Sequence, residues 1–234
     1  MAQFNFRMPT IRSAAGALAI AMIVTSVLVA VIDRLQAIIP LVPELVLRGF
    51  VWQLVTYALV EISPMGVIFG AIILWNLGGF VEQSWGRRRF VLFCLSIAVL
   101  SALATVLLSL VVHVGRGYPG AMVLTGSLWV AYGMQIGRGQ TNFWGLVVTG
   151  NVLALIGVGF VVLNAAFSGI ALVIPEAFGL FFTFLYMRGA QPSLLWIRFR
   201  SWQLDRDLKK RSAHLKGIDG GRRNVGGDSD KYLH

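Results

Sequence analysis

The sequence is poor in most of what a water-soluble domain is built from. Charged residues occupy 13% of its 234 positions while 57% are hydrophobic; an ordinary globular domain carries about 25% charge. Too few polar residues remain to cover a soluble surface, so a free-standing soluble enzyme or binding module is excluded and a multi-span membrane protein is expected. Cysteine is almost absent: the single Cys94 sits inside an apolar run, which excludes a disulfide framework and leaves the redox compartment unread. Histidine is scarce as well, with only His113, His214 and His234. No metal site and no cofactor is assigned. A cleavable signal peptide is not evident either, because the first apolar run is long enough to be kept as a span.

What the chain does have is a series of apolar runs. Ala14 to Ile32 is long enough to cross a bilayer. Residues 33–63 are apolar but interrupted by Asp33, Arg34, Pro40, Pro43, Glu44, Arg48 and Glu61. They read as a long, structured, interfacial first loop. Further spans are expected at Pro64–Val81, Phe90–Val112, Gly120–Ile136, Phe143–Leu163 and Gly169–Met187. The fold class is thus an all-α polytopic membrane protein with six transmembrane helices. It divides into a cytoplasmic N-terminal segment (1–13), a membrane domain (14–190) and a basic tail (191–234). With the N-terminus cytoplasmic, all of the 20 basic residues except Arg34, Arg48 and Arg116 fall on the cytoplasmic side, as the positive-inside rule requires. Both termini are then cytoplasmic.

One stretch carries more information than the others: Trp75-Asn76-Leu77-Gly78-Gly79-Phe80-Val81-Glu82-Gln83-Ser84-Trp85-Gly86-Arg87-Arg88-Arg89. Gly78, Glu82 and Gly86 are four apart, so they stack on one helix face. The glycines would admit a neighbouring helix backbone, and Glu82 is expected to face protein and be hydrogen-bonded or paired with a following arginine. This GxxxExxxG pattern, followed by a basic-aromatic start to the next span, resembles the second transmembrane helix of rhomboid intramembrane proteases. Trp52-Gln53-Leu54-Val55-Thr56 resembles the family's first loop, where a Trp-Arg pair precedes Leu-x-Thr; here glutamine replaces the arginine. The resemblance covers about residues 14 to 190.

It implies a protease fold whose chemistry is missing. The family needs a serine nucleophile at the top of the fourth span, a histidine base on the sixth, and a histidine and asparagine on the second that stabilise the oxyanion. By the family's spacing these positions are Pro119, Leu172, Gly66 and Gly70. The catalytic set is therefore empty, and the resemblance implies a pseudoprotease. Ser127 and Ser168 are the serines a rescued site would have to recruit, and His113 lies on the wrong span to serve either.

The replacements suggest a different use. Gly66 and Gly70 form a GxxxG that would suit close helix approach. Pro175 is expected to break the ladder of the sixth span, and Glu176 beside it must be protonated, paired or near water. Gly66, Gly70 and Glu176 are thus candidate partner-binding residues, with Gly78, Glu82 and Gly86 holding the helices together. In the tail, Trp196, Arg198, Phe199, Arg200 and Trp202 read as a basic-aromatic segment lying on anionic lipid. The expected partners are membrane lipids and transmembrane helices, with no nucleic acid. The expected function is that of a non-catalytic rhomboid-like adaptor, assembly factor or chaperone. A fixed subunit of a larger complex, a transporter, and a protease with a non-standard site are the alternatives. The end of the tail resembles those of bacterial rhomboid-like proteins, which points to a bacterial inner membrane.

Overall fold

A computed structural model describes residues 13–111, 117–143 and 145–189. Helix α1 (Ala14–Val31) is followed by three short helices of the first loop, α2 (Asp33–Ile38), α3 (Pro43–Leu47) and α4 (Gln53–Thr56), and a 3-10 turn at Tyr57–Leu59. Then come α5 (Pro64–Trp85), α6 (Arg87–Ser109), α7 (Ala121–Ile136), a hairpin of β1 (Gln140–Phe143) and β2 (Leu146–Thr149), α8 (Gly150–Ser168), a 3-10 turn (Ile170–Val173) and α9 (Ile174–Met187). Among the described residues five segments are long and apolar enough to cross a membrane: α1, α5, α6, α8 and Ile170–Met187. The protein is a mainly helical, polytopic membrane protein.

The fourth expected span, α7, has 16 residues and reaches only about 24 Å, short of a ~30 Å hydrocarbon core. It is the helix the others surround. α5, α6, α8 and α9 all pack on it, and twelve of its residues, from Ala121 to Gly133, are buried. The outward faces of the surrounding helices carry exposed large apolar residues such as Val27, Leu92, Leu155 and Phe181, the side that lipid would cover.

Three boundaries differ from expectation. The span placed at Phe143–Leu163 begins instead at Gly150, because Gln140 to Thr149 pair as an antiparallel hairpin, with Gln140 opposite Thr149 and Phe143 opposite Leu146. The run Leu146-Val147-Val148 is apolar, but its branched residues suit a strand. α8 starts where a glycine is needed: Gly150 and Gly133 press the two backbones so close that a methyl group on Gly133 would lie 2.5 Å from the Ala154 nitrogen. Second, Pro175 does not break a helix, for it sits in the first turn of α9, where its missing N–H costs nothing. Third, Gly86 does not pack against another helix, since a methyl group there would meet nothing within 4 Å. Its φ of +83° ends α5 and lets α6 start at the next residue, a conformation in which a side chain is strained.

Gly78 does lie in a close contact, where a methyl would come within 3.2 Å of both Ala15 and Phe90. Glu82, one turn on, reaches the start of a helix far back along the chain. Its two carboxylate oxygens accept hydrogen bonds from the backbone N–H groups of Ala14 (2.9 Å) and Ala15 (2.8 Å). Ser13 caps the same end by accepting from the Gly16 N–H at 3.0 Å. A carboxylate on the first N–H groups of a helix also meets the positive end of its dipole. Of the two expected arrangements, hydrogen-bonded or paired with an arginine, the structure has the first, and the partner lies more than sixty positions back along the chain.

Glu82→Ala is expected to lower stability by about 2–4 kcal/mol, the scale of two charge-assisted bonds lost at a part-buried helix end. Glu82→Gln, which keeps one acceptor oxygen, is expected to fall between that variant and the parent. Thermal unfolding in detergent reads both, and equal stability of Glu82→Ala and the parent would refute the capping role.

Candidate functional site

The residues of interest gather at the end of the helices opposite Arg87, Arg88 and Arg89. The first loop is folded onto the start of α7 there. Gln53, fully buried, ties the loop to itself: its amide donates to the Ile38 carbonyl at 3.0 Å and its oxygen accepts from the Val42 N–H at 3.0 Å. This is the work of the residue that stands where the resembling family has arginine. Leu41 and Tyr118 exchange backbone hydrogen bonds at 2.9 and 3.0 Å. The next donors on the chain are then taken up: the Gly120 N–H by the Tyr57 carbonyl at 2.9 Å and the Ala121 N–H by the Val60 carbonyl at 3.1 Å.

Tyr57 anchors this arrangement. Its ring covers Gly120 so tightly that a methyl group there would overlap ring carbons. Its hydroxyl lies 2.6 Å from the Ser101 hydroxyl and donates to the Ala98 carbonyl at 3.0 Å on α6. Burial pushes the phenol well above its ordinary range, with only partial relief from Ser101, so it remains neutral and a donor.

The four expected catalytic positions fall on elements around α7. Pro119 precedes α7 in the stapled turn, and Leu172, partly buried against the core, lies in the 3-10 turn before α9. Gly66 and Gly70 are on α5, but they do not present an open small-residue face to a partner. The space a Gly66 side chain would fill is taken by the side chain of Glu61, and that of Gly70 by Met22 of α1, with Thr125 of α7 nearby. Their assignment as partner-binding residues is therefore corrected: they seat groups of this chain. Ser127 is fully buried on α7, 3.4 Å from where a Gly179 side chain would begin, and Ser168 is exposed and donates to the Asn164 side chain at 2.9 Å. All three histidines and the tail residues Trp196, Arg198, Phe199, Arg200 and Trp202 lie outside the described residues.

Two carboxylates remain, Glu61 and Glu176. Glu61 precedes α5, and one of its oxygens accepts from the N–H groups of Ile62 (3.1 Å) and Ser63 (3.2 Å). Burial raises its carboxyl above the usual range despite these bonds. Glu176, in the first turn of α9, is 4% exposed. Its Oε1 accepts from the Asn164 amide at 2.7 Å, and Asn164 is itself held by Ser168. Its Oε2 is buried without a hydrogen-bond partner. Glu176 was legible from the sequence as a costly buried acid, but Glu61, Asn164 and Ser168 were not singled out with it. An Asn-x-x-x-Ser spacing on an apolar helix was the available signal.

The sequence model of a family described as eukaryotic integral membrane protein (DUF1751) matches residues 16–212. No curated protein matches the chain. The family's eukaryotic description does not fit the expected bacterial inner membrane, and that expectation is withdrawn.

Gly120→Ala is expected to destabilise by about 1–3 kcal/mol through overpacking against Tyr57. Combining it with Tyr57→Leu should cost less than the two single changes added together, because the clash disappears. Thermal unfolding of the three variants measures this; strict additivity would mean that the ring and the glycine do not constrain each other.

Proposed function

We propose, for a chain that belongs to the DUF1751 family of eukaryotic integral membrane proteins, that it binds transmembrane helices of partner proteins without catalysing a reaction. The observation that carries this reading is the arrangement around α7. α5 and α8 both pack on α7 yet make no extensive contact with each other, and both expose large apolar side chains, Ile68 and Phe69 on α5 and Leu155 and Val162 on α8. A guest helix gains no hydrophobic energy over lipid, so its affinity would rest on close packing and a few polar contacts. Glu176, with one buried oxygen unpaired, is the polar contact at hand.

The resemblance to rhomboid proteases supports the same reading. In this proposal the fold is rhomboid-like with both termini cytoplasmic, the first loop lies in the opposite leaflet, and the basic-aromatic tail rests on anionic lipid. An acyl-transfer site needs a nucleophile beside a base and free donors for the oxyanion. Pro119 stands at the nucleophile position, while the donors of Gly120 and Ala121 are already satisfied by loop carbonyls. An adaptor, assembly factor or chaperone fits these features better than a protease.

Photocrosslinking probes at Phe69 and Leu155 are expected to capture a discrete partner band in membranes, and probes at Val24 and Leu28 on α1 are not. Crosslinks confined to α1, or none from any position, would overturn the helix-binding reading. Separately, a serine-directed fluorophosphonate is expected to leave the purified protein unlabelled. Labelling abolished by Ser127→Ala or Ser168→Ala would establish a protease instead.

A further inference from the structure

The hairpin that joins α7 to α8 lies at the end of the helices that carries Arg87, Arg88 and Arg89, and helix binding does not account for its surface. Its root is fixed. The Gly139 carbonyl accepts from the Gly150 N–H at 3.1 Å, and the Gly137 carbonyl from the Asn151 N–H at 3.0 Å. The hydroxyls of Thr141 and Tyr132 lie 3.1 Å apart, and Val148 packs, partly buried, against the core. Tyr132 is a full turn inside α7, so the hairpin leans back on the helix ends instead of standing off them. At its far end Asn142 Oδ1 accepts from the Gly145 N–H at 2.9 Å. Beyond the root the surface is apolar, with Leu146 69% and Val147 68% exposed. Neighbours on a strand point to opposite faces, so the far half of β2 is apolar on both sides. A hairpin in water covers one face with protein and turns a polar one outward. This one does not.

We propose that this hairpin is a lipid-contacting element, with Leu146 and Val147 set into the membrane leaflet at this end, at the boundary between headgroups and acyl chains. The apolar belt of α8 begins beside it: Val152, in the first turn of that helix, is exposed, and Leu155 and Ile156 follow. Acyl chains that cover Val152 therefore reach the level of the hairpin's root. The chain has no aspartate or glutamate from residue 83 to residue 175, and the approach to the hairpin carries the exposed Arg138. A cation without nearby acids suits a surface of lipid phosphates, and its stem can lie along apolar groups while its head stays among them. Depth is limited by the backbone. A sheet of two strands turns N–H and C=O groups outward on both edges, and hydrocarbon satisfies neither, whereas water and headgroups at the boundary do. Held there, the hairpin fixes the level of α7 in the bilayer, which a helix of 16 residues does not set by its own length.

The test uses the full chain in lipid nanodiscs, with an environment-sensitive fluorophore on one introduced cysteine, Leu146→Cys or Val147→Cys. The native Cys94 is buried, and the parent treated with the same dye reads its background. Val158→Cys, midway along α8, serves as the acyl-chain reference. Quenching is measured with lipids that carry a nitroxide near the headgroup or deep in the chain, and with aqueous iodide. At both hairpin positions the emission is expected to shift to the blue of the free dye and to be quenched most strongly by the shallow nitroxide. The reference position should favour the deep one. Leu146→Asp should weaken the shallow quenching read at Val147→Cys, because a charge opposes insertion. Its unfolding temperature should stay close to the parent's, since Leu146 is exposed and outside the core. Unchanged quenching in that variant would count against the proposal. Iodide quenching as strong as that of the free dye, with none from lipid, would put the hairpin in water and overturn it. Protection from both quenchers would mean that a second copy or a partner strand covers the hairpin, and would overturn it equally. Stronger quenching by the deep nitroxide would refute the boundary placement.

Discussion

A helix end set among apolar groups has N–H donors that no solvent will take, and leaving them bare costs several kcal/mol each. This requirement explains why distant pieces of the chain are joined where they are. The start of α1 is closed by Glu82 from the far end of α5. The start of α7 is closed by carbonyls of the first loop. The start of α5 is closed locally by Ser63, with Pro64 in the first turn. In the first two cases the donor satisfied and the acceptor satisfying it lie far apart in sequence, so the bond fixes topology as well as energy. Glu82 sets α1 against α5, which lets Gly78 bring Ala15 and Phe90 into contact one turn away. The loop carbonyls set Tyr57 over Gly120, and the Tyr57 hydroxyl carries the constraint on to α6.

The same device limits what the molecule can do chemically. A helix N-terminus with free N–H groups is a ready anion site, and an enzyme that forms an oxyanion exploits such donors. At α7 two consecutive donors are consumed in holding the loop. To free them, the loop would have to lift, breaking the Leu41–Tyr118 exchange and moving the buried Tyr57 ring. Fold stability and acyl-transfer chemistry would thus compete for the same atoms at this end.

The apolar runs and the importance of 75–89 were legible in the sequence because both are local signals, run length for one and spacing of four for the other, although one of the six expected spans, α7, is shorter than a membrane crossing needs. The polytopic helical fold followed from them. What was not legible depended on partners far along the chain. That Glu82 would be hydrogen-bonded was legible, but its partner was not, because the first turn of α1 offers no sequence sign that it needs an acceptor. Gly86 was misread because a glycine two turns after Gly78 on the same helix face fits a packing face equally well as a turn; only its positive φ separates the two. The hairpin at 140–149 was absorbed into a span because Leu146, Val147 and Val148 are as apolar as any helix. Gly66 and Gly70 had the spacing of a docking face, and the groups that fill it, Glu61 and Met22, are not predictable from that spacing. At the site, Glu176 stood out by its cost, whereas Asn164 and Ser168 are ordinary polar residues until the fold brings them to it.

Two acids at helix ends, the half-buried Glu82 and the buried Glu176, show how a structural carboxylate differs from one that is left over. A carboxylate withdrawn from water is expensive unless its oxygens are filled. Glu82 has both oxygens on backbone donors, and the helix end it caps would be unsatisfied without it, so its presence is explained by folding alone. Glu176 has one oxygen filled by a side-chain amide, whose own orientation needs Ser168, and the other empty. Nothing in the fold requires a carboxylate there: a glutamine would accept the same bond from Asn164. The second oxygen is filled by no group among the described residues, so folding explains Glu82 in full and Glu176 only by half.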